Sequence, residues 1–575
     1  MSIKYRTILF IIFLLLGTPA IYFAGINLIY EVMPLDIELH EHIDLYHSLL
    51  DGTADKKMQL VCILAFAFPF FAFAPAKSPK GEHGSASFAT SFLIKKMGLF
   101  KKEGVVLGKY GSKILRYDDY LSLLISAAPG EGKTTAYTIP NLLTYLGSML
   151  VFDIKFELWN KTSAHRRDVL KQKVYQFNPA SLHSVRYNPM DKTIIDRIKA
   201  TVPDEVKEEA KKYNRELLEN EIEDTIQIRI EEIVNELSFL IYPKTEGSSA
   251  HWVDNGRSIF TMYAIYTIYL NGGTSISEIM ELLLSDFGEF FGEEDDFESP
   301  REAFIMFIET EIAKNEEIPL VAREEANKIL NTPENEFGSI ISACGTPLRA
   351  FKSKAVRECF RTNDFHIEDF RKEASTIYIS ISEKNVSTYE VPLRIFIEMN
   401  LTKLLSQEAT KKDKTLHVLA DEFLRFGKLN YLMSVPALGR SYKVFVSFII
   451  QDYAQAIKLY GKEDIDILNG TTAYKLIFPQ ANGTSAKLIS DSIGDFTRET
   501  VSQNKSSTDK GQISTSSSTN LSAQALLSKQ DLLNMNDGEL YILRKNYMKH
   551  PIKAKPYYFF KDRKLKKLVP KEEDI

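Results

Sequence analysis

Cysteine is scarce in this chain. Its three residues, Cys62, Cys344 and Cys359, are scattered over 575 positions, which excludes a disulfide framework and a paired-thiolate metal site. The soluble bulk therefore belongs in a reducing compartment. An excess of one charge is missing too. Lysine and arginine number 71 against 76 acids, a formal net charge of −5. No global positive field marks the chain for nucleic acid, and any such surface must be local. No LSGGQ-like signature is present, which argues against an ABC-type transporter. Apolar side chains and length are abundant: 44% hydrophobic content over 575 residues is enough for more than one core, in roughly three or four domain-sized units.

Two long uncharged runs lie near the start. Residues 7 to 30, "TILFIIFLLLGTPAIYFAGINLIY", are long enough to cross a bilayer as a helix, and 58 to 76, "MQLVCILAFAFPFFAFAPA", are just long enough. Between them, 31 to 57 carries seven acids against Lys56 and Lys57, while Lys4, Arg6, Lys77 and Lys80 flank the pair. The expectation is a transmembrane hairpin over 1–76 with an acidic periplasmic loop at 31–57. By the positive-inside rule both termini lie in the cytoplasm of a multi-pass protein of the bacterial inner membrane. The competing reading of the first run is a cleaved signal peptide, but the run is long for one and a second follows closely.

Beyond the runs, short apolar strands end in polar residues. "YLSLLIS" leads into "AAPGEGKTT" (127 to 135), "GSMLVFD" ends at Asp153, "TLHVLADE" at Asp421 and Glu422, and "YKVFVSFIIQ" at Gln451. Continuous apolar strands belong to a parallel sheet buried on both faces, where ligands gather at the carboxyl ends. The loop departs from GxxxxGK[ST] by beginning with Ala127. Its nucleotide-binding candidates are Ala128, Pro129, Gly130, Glu131, Gly132, Lys133, Thr134 and Thr135. The glycines permit a turn that aims N–H groups at phosphates. Lys133 would reach the β and γ phosphates of ATP, and Thr134 would ligate Mg²⁺. Asp421 would hold the same ion, and Glu422 would activate the attacking water. Gln451 suits a γ-phosphate sensor, or is an ordinary strand-end amide.

Some 290 residues separate Lys133 from Asp421, so something is inserted. Residues 203 to 242 place Ile222, Ile226, Ile230, Ile233, Leu237 and Leu240 at spacings of three and four, one amphipathic helix. Further helical stretches at 252–271, 275–285, 299–314 and 318–331 make an all-α domain over 191–345. It divides a nucleotide-binding domain into 77–190 and 346–575. Residues 502 to 522, about half Ser and Thr, read as a loop or flexible arm. Residues 544 to 567 set ten Lys or Arg against one acid with "YYFF" among them. That is either a surface for DNA or anionic lipid, or an exposed strand and tail.

Taken together, "HGSASFAT" (83 to 90), "VFDIKFELW", "VYQFNPA", "RYNPMD", "HWVDNGRSIF", "LADEFLRFGKL" and "PALGRSYKVFVSFIIQDYAQ" resemble, in order and spacing, the type IV secretion coupling proteins of the TraG and TraD kind. The resemblance spans nearly the whole chain, with Phe156 where the family has glycine. It implies an α/β RecA-like P-loop motor domain with a mostly parallel sheet, an inserted all-α domain and a hexameric ring. It also implies passage of a relaxase, effector proteins and DNA to the secretion channel's inner-membrane components. Arg440, in the matching "GRSY", would then complete a neighbouring subunit's site as an arginine finger, and is otherwise a surface or interface arginine. Two other readings stay open. A septal-type double-stranded DNA translocase usually has more spans, a long linker and a winged helix, while a non-hydrolysing receptor would use nucleotide only to hold its shape.

Overall fold

The computed structural model describes residues 39–51, 84–291, 297–507 and 513–570, with isolated positions 24, 53, 55, 56 and 59. Its contacts divide the chain into two units. One joins the residues up to Ser85 with Asp495–Gln524, and the other is Ala86–Gly494 with Ala525–Ile575.

The larger unit begins with an antiparallel hairpin, β1 (Val105–Tyr110) and β2 (Lys113–Tyr117). Then come β3 (Leu123–Ser126), β4 (Ser148–Asp153), β5 (Lys173–Phe177), β6 (Ser375–Ser380), β7 (Leu416–Ala420), β8 (Val444–Ile450) and β9 (Tyr474–Ile477). In the smaller unit, β10 (Asp495–Ser507) and β11 (Ile513–Ala525) pair as a two-stranded ribbon. The chain ends with β12 (Leu540–Arg544) and β13 (Ile552–Ala554). Nine strands form one sheet in the order β13-β12-β9-β3-β8-β7-β4-β6-β5. The pairs from β9 through β3 to β5 are parallel, and the pairs of β12 with β9 and β13 are antiparallel.

Both faces of this sheet are covered, so its strands need no polar side. Leu123, Ile125, Met149 and Val151 join one apolar cluster, and the alternate residues Leu124, Leu150 and Phe152 join the other, as period-two side-chain alternation requires. Between β5 and β6 every described element is a helix, beginning with Lys192–Lys212. The 203–242 helix is corrected to two, Lys192–Lys212 and Glu221–Ile241. They are parted by a turn in which Asn214 and Asn220 adopt positive φ, 51° and 62°, a conformation asparagine tolerates. The Ser/Thr-rich stretch is also corrected: 502–507 and 513–522 are strand in the ribbon, because ladder hydrogen bonds need no apolar side chains.

The multi-pass membrane placement is corrected as well. Among the described residues no helix is long and apolar enough to cross a membrane. At 22 residues the longest described helix is Ala250–Asn271. It carries Asp254 and Arg257 and packs against Leu320–Leu330 and Glu334–Gly345, so its apolar residues serve a protein core. Apart from positions 24 and 59, the runs at 7–30 and 58–76 lie outside the described residues.

Candidate phosphate-loop site

The loop leaves the carboxyl end of β3, a strand with neighbours on both sides. It is tied to both of them: Ala127 N–H donates to Ile450 O at the end of β8, and Ala128 N–H to Pro479 O beyond β9, each at 3.1 Å. Ala127 is fully buried and is not among the positive-φ residues, so a methyl group costs nothing there. Gly130 and Gly132 do need their freedom, with φ of +87° and +74°. The chain then enters a π-helical turn, Thr134–Thr138, and the helix Ile139–Thr144. The first N–H groups of such a turn lack partners within it and point toward the loop, a natural seat for an anion.

Lys133 is 8% exposed. Its ammonium lies 3.5 Å from Asp421 Oδ1 and 3.5 Å from Glu422 Oε1. These are ion-pair distances, yet neither Lys133 Nζ nor Asp421 Oδ1 has a hydrogen-bond partner among the described residues. Gln451, just past β8, donates from Nε2 to Glu422 Oε1 at 2.9 Å. The strand ends thus bring together Lys133, Asp421, Glu422 and Gln451. Burial raises the Asp421 carboxyl, opposed by the charge of Lys133.

Next to this group is a cavity of about 50 Å³, lined by Thr134, Asp153, Lys155, Glu157, Asp421 and Glu422 among others. Asp153, at the end of β4, accepts from Trp159 N–H at 2.8 Å and starts the helix Glu157–Ala164. Burial pushes its carboxyl up to about 6 against that bonding. Two non-glycine residues beside the cavity are held left-handed: Phe156 at φ 59° and Glu422 at φ 51°. Such conformations cost about 1 kcal/mol or more each and collect at functional sites. Phe156 therefore keeps the conformation glycine would supply, and Glu157 stays at the cavity, paired with Lys161 at 2.7 Å.

Arg440 is not in this group. It is exposed, in the turn between the helix Asn430–Leu438 and the amino end of β8. Seven strand residues, about 23 Å at 3.3 Å each, separate it from Gln451. In the sequence Asp153 is marked only as a strand end without a role, and Tyr558 is not marked for this site at all. The Cε1 of Tyr558 would lie 2.9 Å from a Cβ on Gly132, a proximity that nothing in local sequence announces.

A mostly parallel α/β sheet with a glycine-bearing loop on an inner strand, and acids at the ends of nearby strands, is the fold class of this chain and the setting of its candidate site. The family model described as "Type IV secretory system Conjugative DNA transfer" matches residues 87–574, and the chain belongs to that family. It is 23% identical over 416 residues to the conjugal transfer protein TraG of Escherichia coli, covering 66% of this chain and 59% of that protein. To the protein VirD4 of Rhizobium radiobacter it is 24% identical over 515 residues, covering 85% of this chain and 66% of that one. The chain thus spans under two thirds of the length of these two relatives. In fold it is similar to the unbound bacterial conjugative coupling protein TrwBdeltaN70, with TM-score 0.55, 15% identity, and 84% of this chain and 96% of that one covered. It is likewise similar to the plasmid coupling protein TrwB in complex with ADP and Mg²⁺, with TM-score 0.54, 15% identity, and 83% and 97% covered.

Proposed function

We propose that this chain is the coupling ATPase of a type IV secretion or conjugation system, recruiting protein or nucleoprotein cargo and spending ATP hydrolysis on its transfer to the secretion channel. The observation that carries this reading is the buried Lys133 ammonium, held between Asp421 and Glu422 without a hydrogen bond among the described residues. Its remaining bonding capacity suits the β and γ phosphates of ATP, and the loop's N–H groups suit the rest of the phosphate chain.

The donor set also fits Mg²⁺. Hydroxyl and carboxylate oxygens are its preferred ligands, and beside a nucleotide it needs only one or two from protein. Thr134 and Asp421 border the cavity, and among the described residues Asp421 Oδ1 has no hydrogen-bond partner; these two would hold the ion. Bound there, Mg²⁺ would neutralise charge developing on the phosphates. Glu422 is the base that orients the attacking water. Gln451 fixes its carboxylate through the 2.9 Å hydrogen bond and reports on the γ-phosphate. Arg440, far from its own chain's loop, serves that of the next copy in a ring, most simply a hexamer. The cargo is a relaxase with its DNA strand, effector proteins, or both.

The test is ATP turnover by the purified chain with Mg²⁺, with and without single-stranded DNA, beside Lys133→Ala and Glu422→Gln. Turnover lost in both variants is expected. A wild-type chain without turnover, or a fully active Lys133→Ala, would overturn the reading.

A further inference from the structure

The strand that bears the phosphate loop divides the ground around it. On one side, β8, β7 and β4 end in Gln451, the Asp421–Glu422 pair and Asp153. Lysine at such a loop takes the β and γ phosphates while backbone N–H groups cradle the α and β phosphates, so the terminal phosphate faces this side. The sugar and base must then leave over the other side, where β9, β12 and β13 lie.

The segment following β13 folds back onto the loop there. A Cβ on Gly132 would stand 2.9 Å from Tyr558 Cε1 and 3.3 Å from Thr135 Oγ1, and the turn Phe559–Lys561 packs on Thr134–Thr138. Tyr558 stacks on Phe560 with centroids 5.3 Å apart and planes 29° apart, and the Lys561 ammonium sits 4.7 Å from the Tyr558 centroid. Phe560 is 44% exposed. The segment is anchored by its other members. Tyr557 is buried, donates to Asp562 Oδ2 at 2.6 Å, and has the Lys109 ammonium 4.9 Å from its ring. A half-buried tyrosine and an exposed phenylalanine, stacked and held on a fixed base beside a phosphate loop, have the form of a stacking platform.

We propose that Tyr558 and Phe560 form the shelf on which the nucleobase of the bound nucleotide stacks. This rests on the nucleotide-site reading above. Stacking needs only the flat face that every base presents, so the shelf contributes affinity and tolerates base identity. Tyr558 also meets the loop at the glycine before Lys133, so a side chain at 132 would displace the shelf along with the loop.

The experiment is calorimetric titration of the full chain with Mg²⁺ and either ATP or inorganic tripolyphosphate, which has the phosphates but no base. Tyr558→Ala is expected to weaken ATP about tenfold or more while tripolyphosphate changes less than about twofold. Tyr558→Trp should retain ATP affinity, and Phe560→Ala, at an exposed ring, should give a smaller loss confined to ATP. Equal losses for both ligands, or unchanged ATP affinity in Tyr558→Ala, would each overturn the shelf. If Lys133→Ala leaves both ligands bound as in the wild type, the loop reading falls and the shelf with it. If Lys133→Ala loses both while Tyr558→Ala loses neither, the shelf alone falls.

Discussion

Two buried cations sit at opposite edges of the same sheet. Arg166 lies near the amino ends of β4, β5 and β6 and is fully buried. Every nitrogen of its guanidinium is spoken for: Nε donates to Thr376 Oγ1, Nη1 to the carbonyls of Leu142 and Tyr145, and Nη2 to Gly147 O and Gln172 Oε1, at 2.7 to 3.2 Å. Lys133, at the carboxyl ends, has two carboxylates at 3.5 Å and, among the described residues, no hydrogen bond. Burying a charge is costly unless it is paired and bonded. At Arg166 the fold itself supplies the bonds, whereas at Lys133 it leaves them open for something that arrives. Burial of a cation alone therefore does not mark function; its unfilled bonding capacity does.

The sharpest way to break this contrast is through nucleotide linkage. Lys133→Ala should abolish the rise in melting temperature that ATP with Mg²⁺ gives the wild type. It should lower the ligand-free stability by less than Arg166→Ala does, since the ammonium makes no hydrogen bond among the described residues, although Asp421 and Glu422 lose their shared counter-charge. A ligand-free loss as large as that of an arginine variant would erase the distinction. Arg440, exposed at the amino end of β8, supplies a third kind of cation. Arg440→Ala should bind ATP nearly as well as wild type yet turn it over about 10³-fold more slowly. Mixed rings with Glu422→Gln should recover part of the rate, and full activity of Arg440→Ala alone would leave it a surface residue.

Arg166→Ala is the converse of the lysine variant. It should cost about 3 to 5 kcal/mol of stability by chemical denaturation, because its buried neutral acceptors are left without their donor, with unchanged nucleotide affinity in the molecules that remain folded. The amino edge also holds His417, buried on β7, its Nε2 against Ser447 Oγ at 2.5 Å and its ring on Phe445. Burial lowers its imidazole to about 3 from the usual 6.5. A base whose folded value is depressed stays neutral in the fold while the unfolded chain takes up a proton. Stability from this residue is thus lost as pH falls below about 6.5, by about 2 kcal/mol at pH 5. His417→Gln should flatten that acid limb in urea melts, and an unchanged slope would mean another group sets it.

Much of the site was legible because its parts are local. An apolar run ending in a polar residue reports both a buried strand and the residue at its carboxyl end, so Lys133, Asp421, Glu422 and Gln451 could be placed on neighbouring strands. What resisted was conformational or distant. Nothing in "DIKFEL" states that Phe156 holds a left-handed turn, since only glycine announces one. The period of 203–242 runs on smoothly enough to hide the turn with Asn214 and Asn220 at positive φ. The ribbon β10–β11 is stabilised by backbone pairing that its serines and threonines do not advertise. Tyr558 meets Gly132 across more than 400 residues, beyond any spacing rule.

The strand order has a consequence during synthesis. β3, β4 and β5 emerge first, yet none of them pairs with another: β8 and β7 separate β3 from β4, and β6 separates β4 from β5. More than 300 residues lie between Ser126 and Val444, the first residue of β8. At about 5 to 20 residues per second, the strand bearing the loop waits about 15 to 60 s for its first partner. Through that interval the nascent chain exposes apolar edges on strands that invite pairing with other chains. A chain released before residue 375 would carry three strands of the nine-stranded sheet and none of that sheet's native pairings.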